Sequence, residues 1–437
     1  MRRFSFQKTF CFISILFLLG CSLFYGTRFV KLYLENEKEK VVEKNSLAKT
    51  IRENNKDNDK FKEINNQMYF IDDSNNNYLL FHNILFRIIK VNNDNSIVAI
   101  SDNSLTSLAY GMDLDYTNSY VNKWLNKEND EYSGVLEKQL NLDYLQKTNT
   151  CLDKISKVDN TPCKDNNDDN YFSLLSTTDF VNIGGKKSYV INGEYFYLGN
   201  VNEENQIWYI TDDGKLMVCS GNNIIGIRPV ITIKANIDYV SGNGSLNNPY
   251  LVEKENSLFG GYVKLDGTIW RIYQVNETEV RLVMDDYLKV NNQNLTYIYS
   301  NNSSYHDDYK VNSIAYYLNH DFLNKLSYKS KIKEVLWTNG YYGEENNYDY
   351  KTAIDATVNT KVALLSMADI RLNNQLNNYF TMTGTTNRGV TMYTIESNQK
   401  VYTKNIQSKA NVVPAISLDK DLLVKGNGTI DSPYEME

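Results

Sequence analysis

The longest hydrophobic run of the chain lies at its start. Nineteen uncharged residues, Thr9 to Thr27, are dominated by Phe, Leu and Ile. As a helix at 1.5 Å per residue they would extend about 28 Å, close to the hydrocarbon thickness of a bilayer. Basic residues precede the run, and no small-x-small cleavage site follows it. The pattern predicts an uncleaved signal anchor with a cytoplasmic tail at 1–8, a single span at 9–27 and the bulk of the chain outside the cell.

A lipoprotein signal is the alternative interpretation of this segment. Leu18-Leu19-Gly20-Cys21 resembles a lipobox, in which Cys21 would carry the lipid, although the apolar run continues past this cysteine. Both interpretations make the membrane a partner of the N-terminal segment.

The next segment is polar and rich in Glu, Lys and Asn. Between Lys31 and Gln67 there is no Gly or Pro, and the sparse apolar positions include Leu34, Val41 and Ala48, seven residues apart. The matching partner positions of such a heptad are mostly charged. We therefore expect a solvated helical stalk over 28–66.

The remaining chain carries an internal repeat. Phe86-Arg87-Ile88 matches Trp270-Arg271-Ile272, an offset of 270 − 86 = 184. Further matches follow in the same order: Trp124-Leu125-Asn126 with Tyr317-Leu318-Asn319, Leu174–Asp179 with Leu364–Asp369, Tyr195-Phe196 with Tyr379-Phe380, Ile227–Val230 with Val412–Ala415, and Gly242–Leu246 with Gly426–Ile430. Repeats of this kind indicate duplication of one structural unit. The predicted domains are 67–253 and 258–437.

The local patterns predict an α+β fold, with mainly antiparallel strands and short helices in each copy. Apolar residues spaced i, i+3 and i+4 after Ser119 and Ser313 predict short capped helices. Ser176 with Asp179 three positions later resembles a capping box. Ile207–Val218 predicts a hairpin in which Gly214 takes positive φ.

The shared motifs resemble a domain of unknown function found in surface proteins of Gram-positive, AT-rich bacteria. That family is distantly similar to the C-type-lectin-like and sulfatase-modifying-factor fold, and the resemblance covers about residues 67–437. It implies a fold and a surface location but no reaction. The second copy departs from the motif, with Tyr317 for the Trp and Val413 in place of Arg228.

Charge and histidine content exclude several function classes. A net charge of −7 leaves no basic stripe for phosphates, so we expect no nucleic-acid partner. The three histidines, His82, His306 and His320, match no zinc-protease spacing, and no nucleophile elbow or phosphate-binding glycine loop occurs. We expect no cofactor and no metal; His306 beside two aspartates is the alternative metal position. The acidic pairs, including Asp285-Asp286, are interpreted as turns and strand ends.

Two cysteines flank an eleven-residue polar segment, which predicts a loop closed by a Cys151–Cys163 disulfide. Two free thiols are the alternative. Cys219 stands alone on the predicted hairpin, and no catalytic cysteine arrangement is recognisable.

Tyrosine is abundant, with 34 residues, and it suits recognition of sugars or proteins because it pairs a flat apolar face with a hydroxyl. The candidate ligand-binding residues cluster in the second copy: Tyr297, Tyr299, Tyr305, Trp337, Tyr341, Tyr342 and Tyr348. The function expected from this pattern is a surface-displayed binding or adhesion protein for a glycan, a cell-wall polymer or a protein. The alternatives are a cell-wall hydrolase whose carboxylates converge in space and a structural envelope protein.

Overall fold

The computed structural model describes residues 46–111, 113–127, 133–254, 257–300, 313–338, 357–373, 375–384 and 391–436. Most of the first half is built from short strands. In chain order these are β1 (Phe61–Ile64), β2 (Gln67–Phe70), β3 (Tyr78–Phe81), β4 (Ile84–Val91), β5 (Ile97–Ser101), β6 (Thr106–Ala109), β7 (Leu145–Gln146), β8 (Thr150–Cys151), β9 (Asn166–Asn167), β10 (Phe172–Ser173), β11 (Phe196–Val201), β12 (Ile207–Ile210), β13 (Leu216–Cys219), β14 (Ile224–Ile227), β15 (Val230–Ile233) and β16 (Tyr250–Leu251).

The second half continues in the same way. Its strands are β17 (Tyr262–Leu265), β18 (Thr268–Val275), β19 (Glu279–Met284), β20 (Lys289–Val290), β21 (Gln293–Asn294), β22 (Thr296–Ile298), β23 (Val335–Thr338), β24 (Thr357–Thr360), β25 (Val362–Ala363), β26 (Tyr379–Gly384), β27 (Thr391–Ile395), β28 (Val401–Asn405), β29 (Lys409–Asn411), β30 (Ala415–Asp419), β31 (Leu423–Lys425) and β32 (Glu435–Met436).

Helices in the described chain are few and short. They are α1 (Leu47–Asn54), α2 (Tyr120–Leu125), α3 (Thr177–Asn182) and α4 (Ile314–Tyr316), which runs into a π-helical turn (Tyr317–Phe322). Single 3₁₀ turns occupy Tyr116–Asn118, Glu137–Gln139, Leu142–Tyr144, Gly185–Lys187, Leu323–Lys325, Ser397–Gln399 and Lys420–Leu422.

Each half contains two main sheets with the same strand order. In the first half, β3, β4, β5, β15 and β10 are neighbours in one sheet, and β13, β12, β11, β14 and β6 form the other. In the second half the orders are β17-β18-β19-β30-β25 and β28-β27-β26-β29-β22. Most pairs are antiparallel, but β11–β14 and β26–β29 are parallel at equivalent places. The two halves thus share one topology.

Irregularities in the strands also recur. The register of β4 against β5 shifts between Ile88 and Lys90, and that of β18 against β19 shifts between Ile272 and Gln274. A bulge adds local twist to a strand and is a specific structural feature. Its recurrence supports the equivalence of the two halves residue by residue.

The halves are packed against each other through buried polar contacts. Arg371 lies in the second half, and its backbone amide donates to the carbonyl of Leu105, 2.7 Å away. Its guanidinium Nη2 donates to Ser107 Oγ at 2.9 Å, and Nε donates to Gln399 Oε1 at 3.0 Å. Apolar side chains of both halves belong to one continuous core. Since these contacts are buried, the two halves form one packed body.

The predicted α+β class with a helical stalk is wrong. The protein is mostly β, with 38% strand and 14% helix, and many of its sheets are antiparallel. The expected helices exist, but the longest α-helix of the described chain has only eight residues. The sheets, not the helices, therefore define the architecture.

The described part of the predicted stalk is folded onto the first half. Leu47, Ala48 and Ile51 form one buried face of α1, and the chain then turns into the β1–β2 hairpin, where Phe61 packs on Phe70 with ring centroids 4.6 Å apart. Three apolar residues on one face suffice to dock so short a helix. The sequence pattern was misjudged because these positions are sparse.

The expectation of a single-pass membrane protein is corrected as well. Among the residues that the structure describes, no helix is long and apolar enough to cross a bilayer. The segment 9–27 and Cys21 lie outside the described residues.

Several local predictions are confirmed. Ser119 Oγ accepts the amide of Asn122 and begins α2, and Ser176 Oγ accepts the amide of Asp179 and begins α3. The hairpin of β12 and β13 pairs Ile210 with Leu216, with Gly214 at φ +76°. Local rules succeed here because caps and tight turns depend on few residues. The domain boundaries stay predictions.

Candidate functional site

The motif that begins each half places an arginine beside a tyrosine. In the first half, Arg87 lies over the ring of Tyr78 at 3.9 Å and donates to its hydroxyl at 3.0 Å. In the second half, Arg271 lies over the ring of Tyr262 at 4.2 Å and donates to its hydroxyl at 2.6 Å. This pair is a repeated structural element, because it joins two neighbouring strands by cation–π and hydrogen-bond contacts.

One aspartate follows the same strand in both halves. The amide of Asp102 donates to the carbonyl of Leu85, and the amide of Asp285 donates to the carbonyl of Ile269, the equivalent residue. Their surroundings differ. Asp102 forms an ion pair with Arg87 at 3.6 Å, whereas within the described chain Asp285 has no ion-pair partner. The carboxylate at this position is thus paired with an arginine in the first half only.

Asp285 faces a cleft of about 890 Å³ in the second half. This volume lies within the range of small-molecule sites, roughly 300–1,000 Å³. Aromatic and long apolar side chains line much of the cleft, and two of them, Val290 and Ile430, are 37% and 56% exposed at its rim. The principal lining side chains are Trp270, Asp285, Asp286, Tyr287, Lys289, Tyr317, Phe322, Lys325, Tyr328 and Gln375.

The carboxyl group of Asp285 is partly removed from solvent. Burial raises its pKa to about 6, with a smaller contribution from the neighbouring Asp286, while Arg271 acts in the opposite direction. A carboxylate that loses water and gains no partner is destabilised in its charged form. Perturbed groups of this kind in a cleft mark candidate functional sites.

The tyrosines at the cleft are held in place by neighbouring contacts. Tyr287 donates from its hydroxyl to the carbonyl of Asn377 at 3.1 Å and accepts the amide of the same residue at 2.8 Å. Tyr317 packs against the ring of Tyr297, with centroids 5.2 Å apart. Rings that are fixed before binding lose little conformational entropy when a ligand stacks on them.

The structure distributes the predicted ligand-binding residues unevenly. Tyr299 and Trp337 are each 1% exposed and belong to the core. Tyr299 lies in an edge-to-face contact with Phe380, and Tyr110 repeats this contact with Tyr197 in the first half. Tyr297 is half-buried and packs against the ring of Tyr317. Tyr305, Tyr341, Tyr342 and Tyr348 lie outside the described residues, as does His306.

A second, more polar cavity of about 460 Å³ lies in the first half. Lys90 Nζ is 2.9 Å from Asp179 Oδ1, and the Tyr69 hydroxyl donates to the same oxygen at 2.7 Å. Burial would lower the pKa of Lys90, but the Asp179 carboxylate and Tyr69 outweigh it and raise that pKa. Lys90 and Asp179 neutralise each other, so this cluster is satisfied internally and ties the added β1–β2 hairpin to α3.

Cys151 and Cys163 border that cavity and form a disulfide, with Cα atoms 5.8 Å apart. With Asp153 they make up a group whose ligand atoms lie within 4.8 Å of one another. The disulfide occupies both sulfurs, and the carboxylate of Asp153 accepts the amides of Lys164 and Asp165. The group therefore closes the loop and does not offer free metal ligands.

Sequence reasoning missed Asp285 as a candidate site residue. It had been assigned, with Asp286, to a strand end, which is where the structure places it. The signal was present in the internal repeat, since each copy carries an aspartate 14 or 15 positions after its motif arginine (102 − 87 = 15 and 285 − 271 = 14). What could not be read from the sequence is that Arg87 reaches its aspartate and Arg271 does not.

No protein-family model, no curated protein and no solved structure matches this chain.

Proposed function

We propose that this chain is a binding protein that recognises a saccharide in the cleft of its second half. The observation that carries the proposal is the combination of fixed tyrosine rings and a partly buried carboxylate in one cleft of about 890 Å³. Sugars present apolar ring faces and hydroxyl groups, which match flat aromatic side chains with polar groups beside them. The resemblance to lectin-like surface domains stays a prediction and is consistent with this use.

Binding is favoured over hydrolysis by the carboxylates of the cleft. Glycosidases of the common types place two carboxyl groups on opposite sides of the scissile bond. Of the described residues that line the cleft, Asp285 and Asp286 are the acids, and the carboxylate of Asp286 is engaged by Lys289 Nζ at 2.5 Å and by the amide of Tyr287 at 2.7 Å. One free carboxylate supports recognition better than it supports a two-acid reaction.

The test is binding of the purified chain to a saccharide array and to cell-wall polysaccharide, with affinities from calorimetry. Tyr317→Ala removes one ring of the cleft and should weaken binding by about tenfold, since a stacked ring contributes about 1–2 kcal/mol. Tyr402→Ala is the matched control, because Tyr402 is 56% exposed on β28 and does not line the cleft. Absence of retention on every saccharide, or equal losses in both variants, would refute the proposal.

A wall-active hydrolase is the second candidate, and the pKa of about 6 at Asp285 favours it because a general acid must be protonated near its working pH. Release of new reducing ends from a bound polysaccharide, abolished by Asp285→Asn, would establish this alternative. Binding without release would leave the first proposal in place.

A further inference from the structure

We infer that the ligand of the cleft carries a free, positively charged amino group that pairs with Asp285, which makes it an amino saccharide. This inference rests on the proposed function and specifies its ligand class. It follows from the internal repeat, because the first half shows what the same aspartate does when a cation is available.

In the first half the cation is supplied by the protein. Arg87 Nη1 lies 3.6 Å from the carboxylate of Asp102, while Nε donates to Asn77 Oδ1 and Nη2 donates to the carbonyl of Ser74. Both charges are largely buried, with 6% and 22% of the two side chains exposed. A buried carboxylate at this position is thus accompanied by a guanidinium group.

In the second half the equivalent arginine keeps the tyrosine contact but forms no ion pair with the aspartate. Arg271 Nε donates to the carbonyl of Gly260 at 2.6 Å, Nη1 donates to the Tyr262 hydroxyl, and Nη2 donates to the carbonyl of Asn83 at 3.2 Å. Asn83 belongs to the first half, so the packing of the two halves supplies one acceptor for this guanidinium, and the guanidinium forms no ion pair with Asp285. The carboxylate therefore faces the cleft without the cation that its counterpart has.

The other charged groups of the cleft do not replace that cation. Lys289, the first residue of β20 on the cleft wall, is paired with Asp286 at 2.5 Å. Lys325 projects from the 3₁₀ turn after α4 and is exposed. Within the described residues, Arg271 is the one cation that acts on Asp285, and it does so without an ion pair.

An ammonium group on the ligand would satisfy both features of the cleft. It would pair with the partly desolvated carboxylate, and charge pairs gain strength where water is excluded. Tyr287, Tyr317 and Phe322 line the same cleft, and their rings attract cations through their π faces. Neutral saccharides could use the rings but would leave the Asp285 carboxylate without a countercharge.

The experiment compares two probes that differ only at the amino group: glucosamine oligosaccharides and N-acetylglucosamine oligosaccharides of equal length. Calorimetry on the full chain at neutral pH should give about tenfold tighter binding of the glucosamine oligomer, the effect of one desolvated cation contact worth about 1.4 kcal/mol. Asp285→Asn should abolish this preference, because it removes the carboxylate that pairs with the amino group. Asp102→Asn is the matched control and should preserve the preference.

The outcomes separate this inference from the proposed function. Equal affinities for the two probes, with loss in Tyr317→Ala, would overturn the amino-group inference and keep saccharide binding. Binding of neither probe, with retention on poly-lysine, would overturn the saccharide class. A preference for the glucosamine oligomer that survives in Asp285→Asn would show that another group provides it. The thermal unfolding of each variant, measured in parallel, shows that the protein tested is folded.

Discussion

The indole Nε1 of Trp124, in the first half, donates a 2.7 Å hydrogen bond to the carbonyl of Ala368, in the second half. The shared Trp-Leu-Asn motif therefore performs two tasks. Its tryptophan joins the halves, whereas its asparagine acts within one half, where Asn126 donates to the carbonyl of Phe172 and accepts the amide of that residue. Asn319 makes the same reciprocal contact with Val362. The repeated motif thus contributes both to the fold of each half and to the contact between the halves.

The equivalent aspartates should respond oppositely to neutralisation. Asp285→Asn should raise the free energy of unfolding at pH 7 by about 1 kcal/mol, because it removes a partly desolvated charge. Asp102→Asn should lower it by about 1–2 kcal/mol, because Arg87 would lose its partner. Urea unfolding of both variants measures the difference.

The pH dependence follows from the pKa of about 6 at Asp285, which is raised above its unfolded value. Between about pH 4 and pH 6 the folded state binds more protons at this site than the unfolded state does, so its contribution to stability falls as pH rises. Asp285→Asn should therefore gain stability relative to wild type across this window. A constant difference from pH 4 to pH 8 would contradict the assignment.

Arg371 should be essential to the cohesion of the two halves. Arg371→Ala removes a buried guanidinium that bonds to Ser107 and Gln399, and we expect a loss of about 2–4 kcal/mol from the lost charged hydrogen bonds. Lys331→Ala, at an exposed position, is the control and should change little. Wild-type protein should unfold in one transition; two separate transitions before any substitution would contradict the tight junction.

Lys90 and Asp179 should behave as a coupled pair. Lys90→Met leaves the Asp179 carboxylate without its cation and should cost about 3–5 kcal/mol, while Lys90→Met combined with Asp179→Asn should recover most of that loss. Because the pKa of Lys90 is raised in the folded state, its contribution is complete below about pH 10 and is lost only above it. A double-mutant cycle with alkaline titration tests both statements; additive losses would contradict the coupling.

Reduction of the Cys151–Cys163 disulfide should destabilise the first half moderately. The bond closes a loop with a sequence separation of 12, for which chain entropy gives about 2–3 kcal/mol. Cys151→Ser should reproduce the effect of reductant on thermal unfolding, and Cys219→Ser should not. Equal sensitivity of the two variants would show that loop closure is not the cause.

How far the sequence predicted this molecule depends on the range of the interactions involved. The caps at Ser119 and Ser176 and the turn at Gly214 were correctly inferred, because each depends on residues within a few positions. Tyr299 and Trp337 looked like surface aromatics in polar segments, yet both are core residues. Burial depends on strands far away in the sequence, and aromatic composition alone does not report it.

The site was less predictable than the fold for a related reason. Asp102 and Asp285 occupy matching positions directly after β5 and β19, and only Asp102 has an arginine within ion-pair distance. The distance between two side chains on neighbouring strands leaves no local pattern in the sequence.

The burial of edge strand β6 predicts how a truncated chain would behave. All four of its residues are buried, and Thr106 and Ser107 donate hydrogen bonds to carbonyls of the second half, while β22 at the equivalent edge begins with an exposed residue. A fragment ending before the second half would uncover β6 and the face of Trp124 together, and bare edges with apolar surroundings promote self-association. We therefore expect the first half, expressed alone, to form oligomers or aggregates. A screen of truncated versions for soluble protein would not recover it.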